Sequence, residues 1–292
     1  MRSKCRLLAV DIDGTLLDGS GKVTARVRGA LLRAHAGGMT IVLATGRRFR
    51  SSLPVAREIG VTDYIIAQHG TIIKRVSDAE TVWAAPMHRR TARKVAEVMM
   101  RHGLEPLVFS DAYETGVDFV VASGKPARPG TCEFTGIHRN AWRAGSFADV
   151  AGAARIVEVG AFDDTDRLRA AYEEIERLWG DRLNYHVIKS PNYSFHCVEV
   201  ISRRAGKGNA LLALGRILGV RREETAAIGD DVNDIDMLSK AGTGIAMGNA
   251  AEAIKAKAHF VVGPNTADGL AEAVERLLRQ FGDRHSSTCG LR

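Results

Sequence analysis

The chain has 292 residues and a net charge of +7, with 45% apolar and 26% charged residues. That length can bury one large core or two ordinary ones. No run of 18 apolar residues is present, so no membrane span or membrane partner is expected. The positive excess sits in residues 1–81, where 13 Lys and Arg face 7 Asp and Glu. Only 6% of residues are aromatic and there is no long basic run, so no nucleic-acid partner is expected either. The basic segment suits a small anion. The N-terminal apolar run stops after four residues at Asp11, too short for a signal peptide. Cys5, Cys132, Cys197 and Cys289 are scattered without metal-ligand spacing. They read as free thiols in a reducing, cytoplasmic setting.

Leu7–Val10 reads as a strand that runs into Asp11, Asp13 and Gly14. Asp-x-Asp-Gly is a favoured turn. At the carboxyl end of a parallel strand the same two acids would point into the crevice where open α/β sheets bind ligands. Thr24 is a helix N-cap, followed by Ala30, Leu31 and Ala34 on one face and a stop at Gly37. Thr40–Ala44 is a second strand, leading into "TGRRFR". Pro54–Ile59 is a helix stopped by Gly60, and Tyr64–Ala67 a third strand. Continuous apolar strands alternating with helices predict a doubly wound α/β fold with a mostly parallel, Rossmann-like sheet.

From residue 82 the rhythm changes. A helix over 91–102 carries Val95, Val98 and Met99 on one face, and strands follow near 106–110 and 117–122. The Gly- and Pro-rich stretch 123–146 reads mainly as a long loop. Ile156–Phe162, Asp166–Trp179 and Leu183–Ile188 read as strand, helix and strand. Adjacent strands suggest an antiparallel sheet with helices on one face, an inserted α+β domain over 82–190. The α/β alternation then returns, with a strand at Phe195–Ile201 and a helix at Asn209–Leu218. A strand at Ala226–Ile228 runs into "GDDVND". Strands at Thr243–Ala246 and His259–Val262 alternate with helices over 250–256 and 267–279. The core domain is therefore expected over 1–81 and 191–282, and a flexible tail over 283–292.

Two strands of one α/β domain thus end in acids, Asp11 and Asp13 on one, Asp230 and Asp231 on the other, with Asp234 and Asp236 just beyond. Carboxylates gathered in one crevice repel and call for a cation, and all-oxygen ligands suit Mg²⁺. Thr45 and the Gly46 amide could hold a phosphoryl oxygen. Lys207 stands at a helix start, where its own charge and the helix dipole both favour an anion. Asp231 and Asp236 read as solvated helix-start acids, and Arg48 and Arg50 as plain surface. Gly242, Gly244 and Gly248 make a weak dinucleotide fingerprint and read better as a close-approach loop.

These four pieces resemble the haloacid dehalogenase-like superfamily of phosphotransferases. "DIDGT" matches its first motif, Thr45 in "ATGR" its second, Lys207 its third and "GDDVND" its fourth. The insert after the third strand resembles the class IIB cap of the Cof-like hydrolases, as do "KGNALLALGRILGV", "GIAMGNA" and "ADGLAEAVERLL". The resemblance implies a phosphatase acting through an aspartyl-phosphate. Asp11 would be the nucleophile and Asp13 the general acid and base. Mg²⁺ would be held by Asp11, the Asp13 backbone carbonyl and Asp230, with Asp234 counted in the metal set and, together with Asn233, orienting Lys207 and the metal's waters. Thr45 and Lys207 would complete the phosphoryl cradle, assisted by Gly46, Arg47 and Asn233. The implied partner is a small phosphomonoester (a sugar phosphate, pyridoxal phosphate or FMN) on a monomer or small homo-oligomer. A sugar phosphomutase and a non-catalytic binding protein are the alternatives. One departure stands out: Cof-like proteins usually carry Asn-Gly after the third strand, and this chain reads "IIAQHGTII". His69 there is open to two readings, a substrate contact or a loop histidine with a backbone partner.

Overall fold

The computed structural model describes residues 4–151, 155–189 and 193–282. The tail expected at 283–292 lies outside them. The chain forms two compact units. One comprises the chain up to Trp83 and from Gly206 onward, and the other is Ala84–Ala205.

The first unit begins with β1 (Leu7–Val10), α1 (Ala25–Ala36), β2 (Thr40–Ala44), α2 (Phe49–Ile59), β3 (Tyr64–Ala67), β4 (Ile72–Arg75) and β5 (Thr81–Ala84). After the second unit it resumes with α7 (Lys207–Leu218), β12 (Thr225–Gly229), α8 (Ile235–Lys240), β13 (Thr243–Ala246), α9 (Glu252–Lys255), β14 (Phe260–Val261) and α10 (Gly269–Gly282). Among the described residues its sheet runs β14-β13-β12-β1-β2-β3-β4-β5. The six strands from β14 to β3 are parallel, and β4 turns back antiparallel on β3. Every residue of β1 and β12 is buried. That is why both read as unbroken apolar runs rather than alternating ones. Val10 is level with Ile228 on one side and Leu43 on the other, so β12, β1 and β2 end together. The residues that follow them, Asp230, Asp11 and Thr45, therefore emerge side by side.

Two local expectations shift. Thr24 caps α1 as its sequence suggests, its hydroxyl accepting from the Val27 N–H at 3.2 Å. α2, however, starts at Phe49, five residues before Pro54. Phe49, Leu53 and Ala56 bury one face at helical spacing, and Pro54 is accommodated inside the helix. Arg48 consequently stands at the N-cap and is buried at 9% exposure, and Arg50 is half-buried, so neither is plain surface.

The second unit contains α3 (Arg89–Arg101), β6 (Leu107–Ser110), β7 (Phe119–Val121), α4 (Pro129–Ile137), β8 (Trp142–Ala144), α5 (Phe147–Ala151), β9 (Ile156–Asp163), α6 (Thr165–Trp179), β10 (Leu183–Ile188) and β11 (His196–Ser202). Its described strands run β10-β11-β9-β6-β7-β8, antiparallel except for the β7–β8 pair. Val95, Val98 and Met99 of α3 and Leu168, Ala171 and Ile175 of α6 pack on Val159, Ala161, Val198 and Val200 of the sheet. Two corrections follow. The stretch 123–146 is not mainly loop: it holds α4 and β8, and α4 is fixed by Phe134 stacking on Phe162 of β9 at 4.4 Å between ring centroids. And β11, read from sequence as a strand of the core, pairs with β9 and β10 here. The boundary thus falls near 205 rather than 190, because an apolar strand does not declare its partners. The other edge sits at 83/84, beside the break read at 82.

Candidate active site

Five adjacent parallel strands deliver polar groups from their carboxyl ends. β13 leads to Asn249, β12 to Asp230, β1 to Asp11 and Asp13, β2 to Thr45 and Arg47, and β3 to His69. This is the end of an open α/β sheet at which ligands bind.

At the centre stands Lys207, the first residue of α7 and only 1% exposed. Its ammonium donates to Asp11 Oδ1 at 2.7 Å, Asn233 Oδ1 at 2.9 Å and Asp234 Oδ1 at 2.7 Å. All three of its protons are thereby engaged. Burial opposes its charge, but the Asp11 and Asp234 carboxylates outweigh that and hold its pKa above the ordinary lysine value. Asp11 is itself buried, at 4% exposure. Burial raises its pKa well above the usual carboxylate range, Asp234 pushes the same way, and Lys207 opposes. Asp230 is half-buried; its Oδ1 accepts from the Thr15 hydroxyl at 2.6 Å and its Oδ2 from the Asn249 amide at 3.2 Å. Burial pushes its pKa up to about 6.

Asp11, Asp230 and Asp234 each offer an oxygen within 4.8 Å of the others. Three carboxylates against one ammonium leave an excess of negative charge, and an all-oxygen donor set of this kind fits a hard divalent cation. The turn after β1 makes room for the arrangement. Gly14 has φ +85°, and any Cβ there would overlap the Asp230 carboxylate. Asp234 serves two neighbours: besides Lys207, its Oδ2 accepts from the Asp230 and Asp231 N–H groups at 3.0 Å each. With both oxygens held by protein donors, it orients Lys207 and the end of β12.

The other residues singled out in the sequence are placed differently from one another. Asp13 is exposed, and both its oxygens accept from Arg47, from Nε at 2.7 Å and Nη2 at 2.5 Å. Thr45 is buried; its hydroxyl accepts from the Arg47 N–H at 3.0 Å, which folds the Thr45–Gly46–Arg47 loop back across the end of β2. Asp231 is exposed at the start of the next turn, as its sequence position suggests. Asp236 is not simply a solvated acid. It accepts from the Gly208 N–H at 3.0 Å and pairs with Lys240 at 2.5 Å, tying the start of α7 to α8. Sequence reasoning missed Asn249, which bridges the two acidic strand ends by donating to Gly14 O at 2.9 Å and to Asp230. The only signal was its place in "GIAMGNA", directly after a strand. Thr15, one residue past "DIDG", was missed as well.

Comparison with known proteins agrees with this geometry. The profile of the haloacid dehalogenase-like hydrolase family matches residues 8–274. Pyridoxal phosphate phosphatase YbhA of Escherichia coli K12 is 27% identical over 275 residues, covering 92% of this chain and 97% of its own. Phosphatase YwpJ of Bacillus subtilis 168 is 28% identical over 290 residues, covering 94% of this chain and 100% of its own. The crystal structure of a haloacid dehalogenase-like hydrolase from Bacteroides thetaiotaomicron superposes with a TM-score of 0.78 at 26% identity, over 94% of this chain and 100% of the other. The matches run through both halves of the split unit and the segment between them: the chain belongs to the haloacid dehalogenase-like hydrolases and is a phosphatase of their Cof-like branch.

Proposed function

We propose that the chain hydrolyses small phosphomonoesters with Mg²⁺ through an aspartyl-phosphate on Asp11. The observation that carries this reading is the buried Lys207, shared among Asp11, Asn233 and Asp234 beside a further acid, Asp230. A phosphoryl dianion repels an anionic nucleophile, so a covalent route needs positive charge at the point of attack. Lys207 supplies part of it, fixed against Asp11 Oδ1. Asp11 and Asp230 would hold Mg²⁺, with Asp234 braced behind them. When bound, the ion neutralises charge on the transferring group.

Asp11 attacks phosphorus in line, and the leaving alcohol takes a proton from Asp13. Asp13 then draws a proton from water, and that water cleaves the acyl phosphate. Asp13 is exposed and at the rim, which suits traffic of protons with a leaving group and with water. Arg47 grips both its oxygens, so the proton step requires Arg47 to release at least one. An incoming phosphate offers Arg47 that alternative partner. Thr45 and the Gly46 amide would add donors from the same loop.

The Ala84–Ala205 unit would act as the cap that selects the leaving group. Candidate substrates are pyridoxal phosphate, on which YbhA acts by name, sugar phosphates and FMN. Cys5, Cys132 and Cys197 are free thiols, which supports work in the cytoplasm. The test is phosphate release from a panel of these esters, with Mg²⁺ or with chelator, by wild type and Asp11→Asn. Mg²⁺-dependent release that drops about 10³-fold or more in Asp11→Asn is expected. Release unaffected by chelator or by Asp11→Asn would reject the reading.

A further inference from the structure

Three consecutive residues after β3 hold positive φ: Gln68 at 48°, His69 at 56° and Gly70 at 85°. A left-handed backbone costs a non-glycine residue about 1–2 kcal/mol. Strain of this kind persists only where the surroundings over-determine it, and it concentrates at functional sites. Here the surroundings are specific. The Gln68 N–H donates to Arg47 O at 2.9 Å and the His69 N–H to Thr45 O at 3.1 Å. The two segments are thus stitched together on either side of Gly46. The His69 side chain, 4% exposed, is seated against Gly46: a Cβ on residue 46 would stand 2.5 Å from its Cε1 and 2.8 Å from its Nε2. On the other side of the turn, a Cβ on Gly70 would overlap the Gly206 carbonyl and lie 2.6 Å from the Lys207 backbone N.

One strained turn is therefore packed between the Thr45–Arg47 loop and the first residue of α7. Those two segments carry Thr45, Gly46 and Lys207, which arrive from separate elements; the Lys207 ammonium is tied to the end of β1 through Asp11, and the strained turn is the packing that joins the two segments directly. We infer that His69 is a positioning residue, whose imidazole, seated on Gly46, sets the distance between the Thr45–Gly46 donors and Lys207. The inference rests on the proposed phosphoryl chemistry and adds to it a residue that chemistry does not itself require. The ring suits the task electrically. Burial lowers its pKa to about 3 and the Lys207 charge acts in the same direction, so it stays neutral beside the ammonium. It also suits the task sterically, because a flat ring fills the space over a glycine that any side chain on residue 46 would claim.

The experiment compares His69→Asn, Gly46→Ala and the double variant with wild type, using the best phosphomonoester of the panel. Asparagine tolerates positive φ, so it keeps the turn while removing the ring. The expected result is a fall in kcat of about 5- to 50-fold in His69→Asn, with KM within about threefold and Tm near wild type, since small misplacements of transition-state donors act on kcat. Gly46→Ala should lose activity by clashing with the ring, and the double variant should recover part of that loss because the ring is gone. Such non-additivity is the mark of direct coupling. A kcat within threefold of wild type, strictly additive losses, or a loss matched by a falling folded fraction would overturn the inference. If wild type releases no phosphate, the proposed reaction fails separately. Vanadate binding by calorimetry, with Mg²⁺ present, then decides, because vanadate takes the five-coordinate geometry of the transferring group: tenfold weaker binding in His69→Asn sustains the positioning role, and equal binding rejects it.

Discussion

Each unit of the molecule holds an ionic cluster around buried acids, and the two are built on different principles. In the second unit Arg128 grips both oxygens of Asp163, Nη2 reaching Oδ1 at 2.9 Å, with Arg167 Nε also within 3.7 Å. Nearby, Glu105 accepts from the Ala127 and Arg128 N–H groups at 3.0 and 3.1 Å and so seats the start of α4. Two guanidiniums face Asp163, and backbone N–H groups take up Glu105. That cluster is complete. In the first unit Asp11, Asp230 and Asp234 face one ammonium. That cluster is short of positive charge: burial raises the pKa of Asp11 and of Asp230, and the neighbouring Asp234 carboxylate pushes both the same way. A buried ionic cluster in balance fastens a fold; one left out of balance is prepared for a ligand.

Four measurements press on this contrast. The largest effect belongs to Lys207→Met, which strands Asp11 and Asp234 without their shared cation. It should cost about 3–5 kcal/mol in urea unfolding along with the activity; a cost under about 1 kcal/mol would erase the distinction. Next comes Asp230→Asn. In wild type, Mg²⁺ at about 100 times its Kd should stabilise by roughly 2.7 kcal/mol, and that rise in Tm should vanish in the variant, which without metal should be no less stable than wild type. A Mg²⁺ response that survives the substitution would remove Asp230 from the site. Arg128→Met should be milder, about 1–2 kcal/mol, because Arg167 still faces Asp163. It should leave the Mg²⁺ response intact, whereas a lost response would show that the balanced cluster also serves the ligand.

The smallest effect is in pH. With Mg²⁺ on Asp230 as proposed, protons would compete with it for that carboxyl, whose pKa burial pushes up to about 6. Apparent Mg²⁺ affinity should therefore be full above pH 7 and weaken as pH falls. By pH 5.5 the loss should be about fourfold, or ~0.8 kcal/mol. A response flat from pH 7.5 to 5.5 would place the ion elsewhere.

The sequence spoke clearly where local pattern and local structure coincide. β1, β2 and β12 are apolar runs that stop on Asp11, Thr45 and Asp230, legible as strand ends in the sequence, and the parallel β12-β1-β2 pairing brings those ends together. It was silent where packing overrides pattern. α4 contains Gly130 and Gly136, poor helix formers, and holds because Phe134 stacks on Phe162, 28 residues away in the chain. β11 looks like any core strand until its partners, β9 and β10, are seen. Arg48 reads as part of a basic surface run but sits at a buried N-cap. Asn249 reaches Asp230 across a strand crossover, and no spacing rule announces that.

The saturation of Lys207 bears on the end of a catalytic cycle. Its three protons are already committed to Asp11, Asn233 and Asp234. A phosphoryl oxygen can gain one only by displacing a carboxylate or amide oxygen, so each contact it makes is an exchange rather than an addition. The net attraction for a free phosphate is correspondingly small. On the proposed route, when the product detaches from Asp11 the displaced partners would compete to return. An ammonium that looks positioned to capture phosphate is thereby also fitted to let it go, and turnover gains a built-in means of clearing its own product.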